Sequence, residues 1–216
     1  MADSGTVAHP DANLERAELE RPQLSGRTLW VGSRVLGACV IFYFLGFVFA
    51  YVYLKTLDVN HHWRHGPAAP SALVGSLILV LVLTGTATYA VGVRSLEREQ
   101  WQQWRRLTAL SAMGLLAAAL MLVVELVDPT FPYGISAYVS VFVGWSWSLV
   151  VILLAVSYFV TSLFAQSRQV PPESRQHTQD LASPTALLGS ADAVRFVMFV
   201  VAGIEVLAWV LLYLVR

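Results

Sequence analysis

The chain is poor in cysteine, in charge and in buried histidine, and each shortage excludes something. Its only cysteine, Cys39, rules out an internal disulfide and a cysteine-based metal cluster. Cys39 lies inside an apolar run, where a thiol acts as a small packing residue. Charged residues make up 13% of the sequence, against about 25% in soluble domains. Basic and acidic residues balance at 14 each, so no net field recruits nucleic acid. Prolines are missing from the apolar runs, which argues against the broken mid-membrane helices of many transporters. None of the five histidines lies in an apolar run. Haem or copper held between helices normally takes histidine ligands from those helices. The reading is therefore a chain with no redox centre of its own. The opening stretch MADSGTVAHPDANLERAELERPQLSGR lacks the apolar core of roughly 7–15 residues that a secretory signal needs. It is expected to be a largely disordered tail over 1–30, with ANLERAELER as a short helix.

What the sequence has in abundance is apolar surface, at 56% of residues. A membrane-spanning helix needs about 20 apolar residues. Five runs qualify, at about 33–54, 71–93, 107–127, 136–165 and 193–215. The expectation is an all-α integral membrane domain over 31–216. Basic residues set its orientation. Arg16, Arg21, Arg27, Arg34, Arg94, Arg98, Arg105, Arg106, Arg168, Arg175 and Arg195 fall on one side, and only Lys55, Arg64 and Arg216 on the other. The N-terminus is thus expected in the cytoplasm and the C-terminus outside. Trp30, Trp101 and Trp104 would anchor the inner interface and Trp63 the outer loop. The inner loop over 166–192 is rich in Pro, Gln and Ser and reads as mobile.

Within the runs, polar residues are few. Glu205 stands in FVVAGIEVLAWVLLYL, ten residues past Arg195, or about 15 Å along a helix. A carboxylate near mid-membrane costs about 2.5–3.5 kcal/mol on insertion scales. It should face protein or water, on a face with Met198, Val201, Ala202, Ala208 and Trp209. Two readings stand: a proton-handling or subunit-contact site, or a neutral carboxyl hydrogen-bonded to a neighbouring helix. Glu125 sits near the outer interface and reads as a solvated or interhelical group. TGTAT over 84–88 and the pair Gly114 and Ala118 allow close helix approach, with hydroxyls free to bond across helices. Ser146 and Ser148 can return hydroxyl bonds to the preceding turn. HHWRH over 61–65 offers His61 and His65 at a metal-sharing spacing, but with no partner cysteine or carboxylate cluster. Solvated interfacial histidines, His62 among them, are the reading.

The order of these residues resembles subunit III of the haem–copper oxidases, in its five-helix bacterial form. GFVFAYVYLK over 46–55 is similar to the family's GLFAAYFYLR. PSALVGSLILVLVLTGTATYA over 70–90 follows the family's proline, leucine-rich run, paired Ser/Thr and alanine. WRRLTALSAMGLLAAALMLVVEL over 104–126 places Glu125 at the family's Q-x-x-E glutamate. FPYGISAYVSVFVGW over 131–145 follows its tyrosine-to-phenylalanine approach to a glycine. AGIEVLAW over 202–209 puts Glu205 and Trp209 near the family's W-H-F-V-D and following tryptophan. The chain departs from the family pattern at three places: no acid stands in the first span, GWSWSLV replaces G-F-H-G-x-H-V, and Ala202 replaces a histidine.

The resemblance implies a non-catalytic subunit of an oxygen-reducing, proton-translocating complex of the cytochrome c oxidase type. It implies helices grouped two plus three around a lipid-holding cleft, in a bacterial plasma membrane. Haem and copper would belong to partner subunits I and II, and a structural phospholipid to this chain. A nitric oxide reductase partner, a small transporter using Glu205, and a membrane scaffold are the alternatives.

Overall fold

The computed structural model describes residues 10–58, 63, 70–127, 136–169 and 184–214, with side chains at 28–58, 63, 70–127, 136–168 and 187–214. Every described element is helical, because leucine, valine and alanine runs without proline leave the backbone no better way to satisfy its polar groups in lipid. Helix α1 covers Pro10–Thr56, α2 Ala72–Glu97, α3 Trp101–Val127, α4 Ala137–Gln169 and α5 Pro184–Trp209. A π-helical turn, Val210–Leu214, extends α5. Five segments are long and apolar enough to cross a membrane. The chain is an all-α multi-pass membrane protein.

The helix ends follow local rules. Pro70 precedes α2, and the Ser71 hydroxyl accepts from the Val74 N–H at 3.5 Å. Ser136 does the same for α4, accepting from Val139 at 3.3 Å. Pro184 opens α5, where its missing N–H has no cost. Between α2 and α3 the chain turns in three residues. Glu99 takes φ 58 there, a left-handed conformation usually given to glycine. The Glu99 and Gln100 N–H groups then close onto the Leu96 and Ser95 carbonyls.

Helices α2, α3, α4 and α5 pack as a closed ring, each against its two neighbours. Helix α1 lies outside the ring, along α5 and to a lesser extent α4. The grouping is thus four plus one, not the two plus three that the resemblance implies. The reason is visible in the side chains. Gly85 and Gly114 face each other, so a methyl on Gly114 would lie 3.6 Å from the Leu81 carbonyl and 3.8 Å from the Gly85 Cα. That close approach commits α2 to α3. Helix α1 instead carries an aromatic group, Phe44 and Phe47, that meets Trp145 of α4 at ring distances of 5.0 and 5.9 Å. Gly144 leaves the notch for Phe47, and Gly37 leaves one for Phe196 of α5.

Two boundaries differ from the sequence reading. Residues from Pro10 to Arg27 join α1 as one continuous helix instead of a disordered tail; Ala, Leu, Glu and Arg are strong helix formers. Helix α5 starts at Pro184, nine residues before the predicted fifth run. The remainder of the inner loop, with His177, lies outside the described residues, as do His61, His62 and His65.

Candidate functional site

Glu205 is the residue that the sequence marks most strongly, and the ring places it inside. It is 5% exposed. Its face is the one helical spacing predicts, with Met198, Val201, Ala202 and Ala208 all buried beside it along α5. Trp209, one turn on, donates its indole N–H to the Ser76 hydroxyl of α2 at 3.0 Å. The expected interhelical bond of the carboxyl itself is another matter. Glu205 Oε2 is buried and accepts no hydrogen bond among the described residues. The position arises because α5 faces the ring interior through its 198, 201, 205 and 208 stripe.

Glu125 is half-buried and works across helices. Its Oε1 accepts from the Ser71 backbone N–H at 3.1 Å. A carboxylate at the end of α3 thereby closes onto the N-terminus of α2, the end that favours negative charge. Glu125 is therefore an interhelical clasp more than a solvated group. Ser146 is buried on α4. Ser148 returns its hydroxyl to the Gly144 carbonyl at 2.7 Å, as expected for a serine in a span, and lies 2.8 Å from the Tyr43 hydroxyl of α1. Thr84 likewise bonds back to Val80 at 2.7 Å. Thr86 is buried with no partner among the described residues, so TGTAT supplies close packing and no bridge from Thr84 or Thr86.

The tryptophans divide. Trp30 is 55% exposed near the start of the membrane-spanning part of α1, Thr28–Thr56, and fits an interfacial anchor. Trp101 is half-buried at the start of α3. Trp104 is fully buried against Tyr89, with ring centres 5.6 Å apart. It is a core residue and not a headgroup anchor, because the first turn of α3 already points into the ring. Trp63 is 8% exposed and packs edge-on against Tyr51 at 5.2 Å and Tyr138 at 6.0 Å. It caps the α1–α4 end instead of lying in headgroups.

Ionic groups at the opposite end also hold helices together. Arg105 donates to the Ser167 carbonyl, tying α3 to α4. Tyr89 donates to the Ala191 carbonyl at 3.3 Å, tying α2 to α5. Arg195 pairs with Asp192 at 2.8 Å and with Glu97 of α2 at 3.9 Å. At the far end the π-helical turn frees the Leu212 carbonyl for the Tyr138 hydroxyl at 2.6 Å.

Sequence reasoning missed one feature. A cleft of about 560 Å³ opens where α1 and α2 diverge over α5. Arg34, Arg94 and Arg195 line it, with Trp30, Phe196 and Asp192. In the sequence these arginines served only as orientation markers. Their common position at one end of three spans was the available signal; that the helices part there was not readable.

Among the described residues no three histidine, cysteine, aspartate or glutamate side chains gather as a metal site. Compared with known proteins, the chain matches no family model and no curated relative.

Proposed function

We propose that the chain is a non-catalytic, subunit III-type partner in a bacterial respiratory haem–copper terminal oxidase. On this reading it stabilises the haem-bearing subunit I and supports proton uptake and turnover in aerobic electron transport. Haem and copper reside in subunits I and II. It sits in the plasma membrane with its arginine-rich end in the cytoplasm. The supporting observation is how its ionisable side chains are spent. Glu125, Arg105 and Arg195 bind helix to helix, through the Ser71 N–H, the Ser167 carbonyl and the Glu97 carboxylate. That is the pattern of a packing subunit, not of a site for bond-making. The order of residues quoted for the resemblance supplies the rest.

A second reading has one specific observation in its favour. The unpartnered Oε2 of Glu205 suits a small proton-coupled transporter, since acids inside membranes mark ion pathways. The test is purification from the native membrane in mild detergent, with a visible spectrum and mass spectrometry on one fraction. Reduced-haem bands together with a large histidine-rich subunit support the oxidase reading, and the band positions separate an oxidase from a nitric oxide reductase. A colourless fraction holding this chain alone sinks it and favours the transporter.

A further inference from the structure

We infer that the outer face of α1 is the contact between two copies of this chain, laid side by side as parallel helices. The inference stands apart from the oxidase reading, since it concerns a face that the ring does not use. It starts from a device that the fold already employs twice. Gly144 of α4 leaves a notch for Phe47 of α1, and Gly37 of α1 leaves one for Phe196 of α5. The opposite face of α1 carries both halves of the same device uncovered. Gly32 and Gly46 have open space where a side chain would stand, and Cys39, midway between them, is exposed. Phe42 and Phe49 are 75% and 71% exposed, the most uncovered rings among the described residues, and Val35 is exposed beside them.

The order along this face is regular. Small residues stand at 32, 39 and 46 and larger ones at 35, 42 and 49, so the pattern repeats every seven residues in steps of three and four. That period keeps one stripe of a helix against a partner helix in left-handed packing. From Gly32 to Phe49 the stripe runs about 26 Å, close to the hydrocarbon thickness of roughly 30 Å. Acyl chains lie against any apolar surface and need no such register. Small residues at fixed spacing instead admit the backbone of another helix.

Symmetry and charge name the occupant. Rings and notches lie on one stripe of one helix, so the stripe is complementary to itself. Copies inserted the same way across a membrane are related by an axis along its normal, which makes their paired α1 helices parallel. In parallel packing the Phe42 ring enters a hole whose corners include Cys39 and Gly46 of the second copy. Layers filled by rings then alternate with layers where the two backbones approach. Nothing on the stripe repels its copy, because no charged residue lies between Arg34 and Lys55. The ring does not obstruct the contact either. Gly37 and Phe44, which meet α5 and α4, lie on the other side of α1 by helical spacing.

The single cysteine makes the experiment direct. In the packed pair the two Cys39 side chains share one layer, within reach of a disulfide. Native membranes holding the full chain are treated with copper(II) phenanthroline, which takes one electron from each of two thiols while their protons pass to solvent. The expected product is a species of twice the chain's mass, reversed by dithiothreitol and absent from Cys39→Ser. The double variant Cys39→Ser/Gly46→Cys moves the thiol along the stripe and should keep the cross-link. Cys39→Ser/Ile41→Cys moves it off the stripe and should lose the cross-link, although Ile41 is also exposed. Gly46→Leu fills a notch and should weaken association about tenfold. The single chain accommodates that side chain, because the space at Gly46 is open. Absence of the dimer overturns the inference. So does equal cross-linking from Ile41→Cys, or a Gly46→Leu chain that pairs as before. A cross-link from Cys39 to a different protein overturns the second copy as occupant and assigns the stripe to a foreign helix. The readout does not involve haem, so a failure of the oxidase reading leaves it unchanged.

Discussion

Glu205 sits where a carboxyl is expensive and where its Oε2 has no partner among the described residues. Mid-membrane acids cost about 2.5–3.5 kcal/mol on insertion scales. Replacing an unpartnered buried group by an apolar one of similar size is neutral or favourable. Glu205→Met is therefore expected to stabilise the chain by about 1–3 kcal/mol, read as a higher melting temperature in detergent. Glu205→Gln should stay within about 1 kcal/mol of the parent. A marked loss of stability in Glu205→Met would show that the carboxyl ties two helices together after all. Glu125 also has a buried Oε2 with no partner among the described residues, but its Oε1 accepts a hydrogen bond from α2, so it is held where Glu205 is not. Glu125→Ala should cost about 1 kcal/mol by stripping the α2 N-terminus of its acceptor. Glu125→Gln, which keeps an acceptor oxygen, should recover most of that in the same melting assay. The contrast was half legible beforehand. Helical spacing assigns Glu205 its face correctly, but only the neighbouring helices decide whether an oxygen finds a donor.

At the scale of elements, the turn between α2 and α3 and the glycine contact beneath it govern one hairpin. Glu99 holds a left-handed backbone that disfavours side chains by roughly 1–2 kcal/mol. Glu99→Gly should stabilise the chain by about 1 kcal/mol once glycine's entropy is set against that strain. Unfolding in increasing denaturant would measure it, and no gain would mean that the turn relaxes without glycine. Gly114→Leu should do the reverse. A side chain there must enter the space held by the Leu81 carbonyl and the Gly85 Cα. A loss of about 1–3 kcal/mol follows from overpacking, together with easier proteolysis between α2 and α3. Helix existence was readable from length and apolarity, since all five runs became helices. Helix ends were less so. Residues before Arg27 and after Pro184 lack the apolar signal, yet α1 and α5 extend through them.

For the whole molecule, the division into a four-helix ring and an outer α1 predicts unequal stability. Helix α1 is held by aromatic notches at Gly37 and Gly144 and by the Tyr43–Ser148 contact. Gly144→Leu should push Phe47 aside, since a methyl there would already lie 2.9 Å from its ring. Hydrogen exchange in α1 should then rise while α2 to α5 stay protected. Uniform loss of protection would mean that α1 is part of one cooperative unit. The amino-acid sequence alone determined the membrane class, the five helices, the face of Glu205 and the clustering of arginines at one end. Those follow from composition and helical period, which act within a single segment. The tertiary structure alone decided that α2 to α5 close on themselves, that Trp104 is core, that Glu125 clasps α2, and that three arginines border one cleft. These depend on which helix lies beside which, and that choice rests on steric contacts such as Gly85 against Gly114, between residues far apart in the chain.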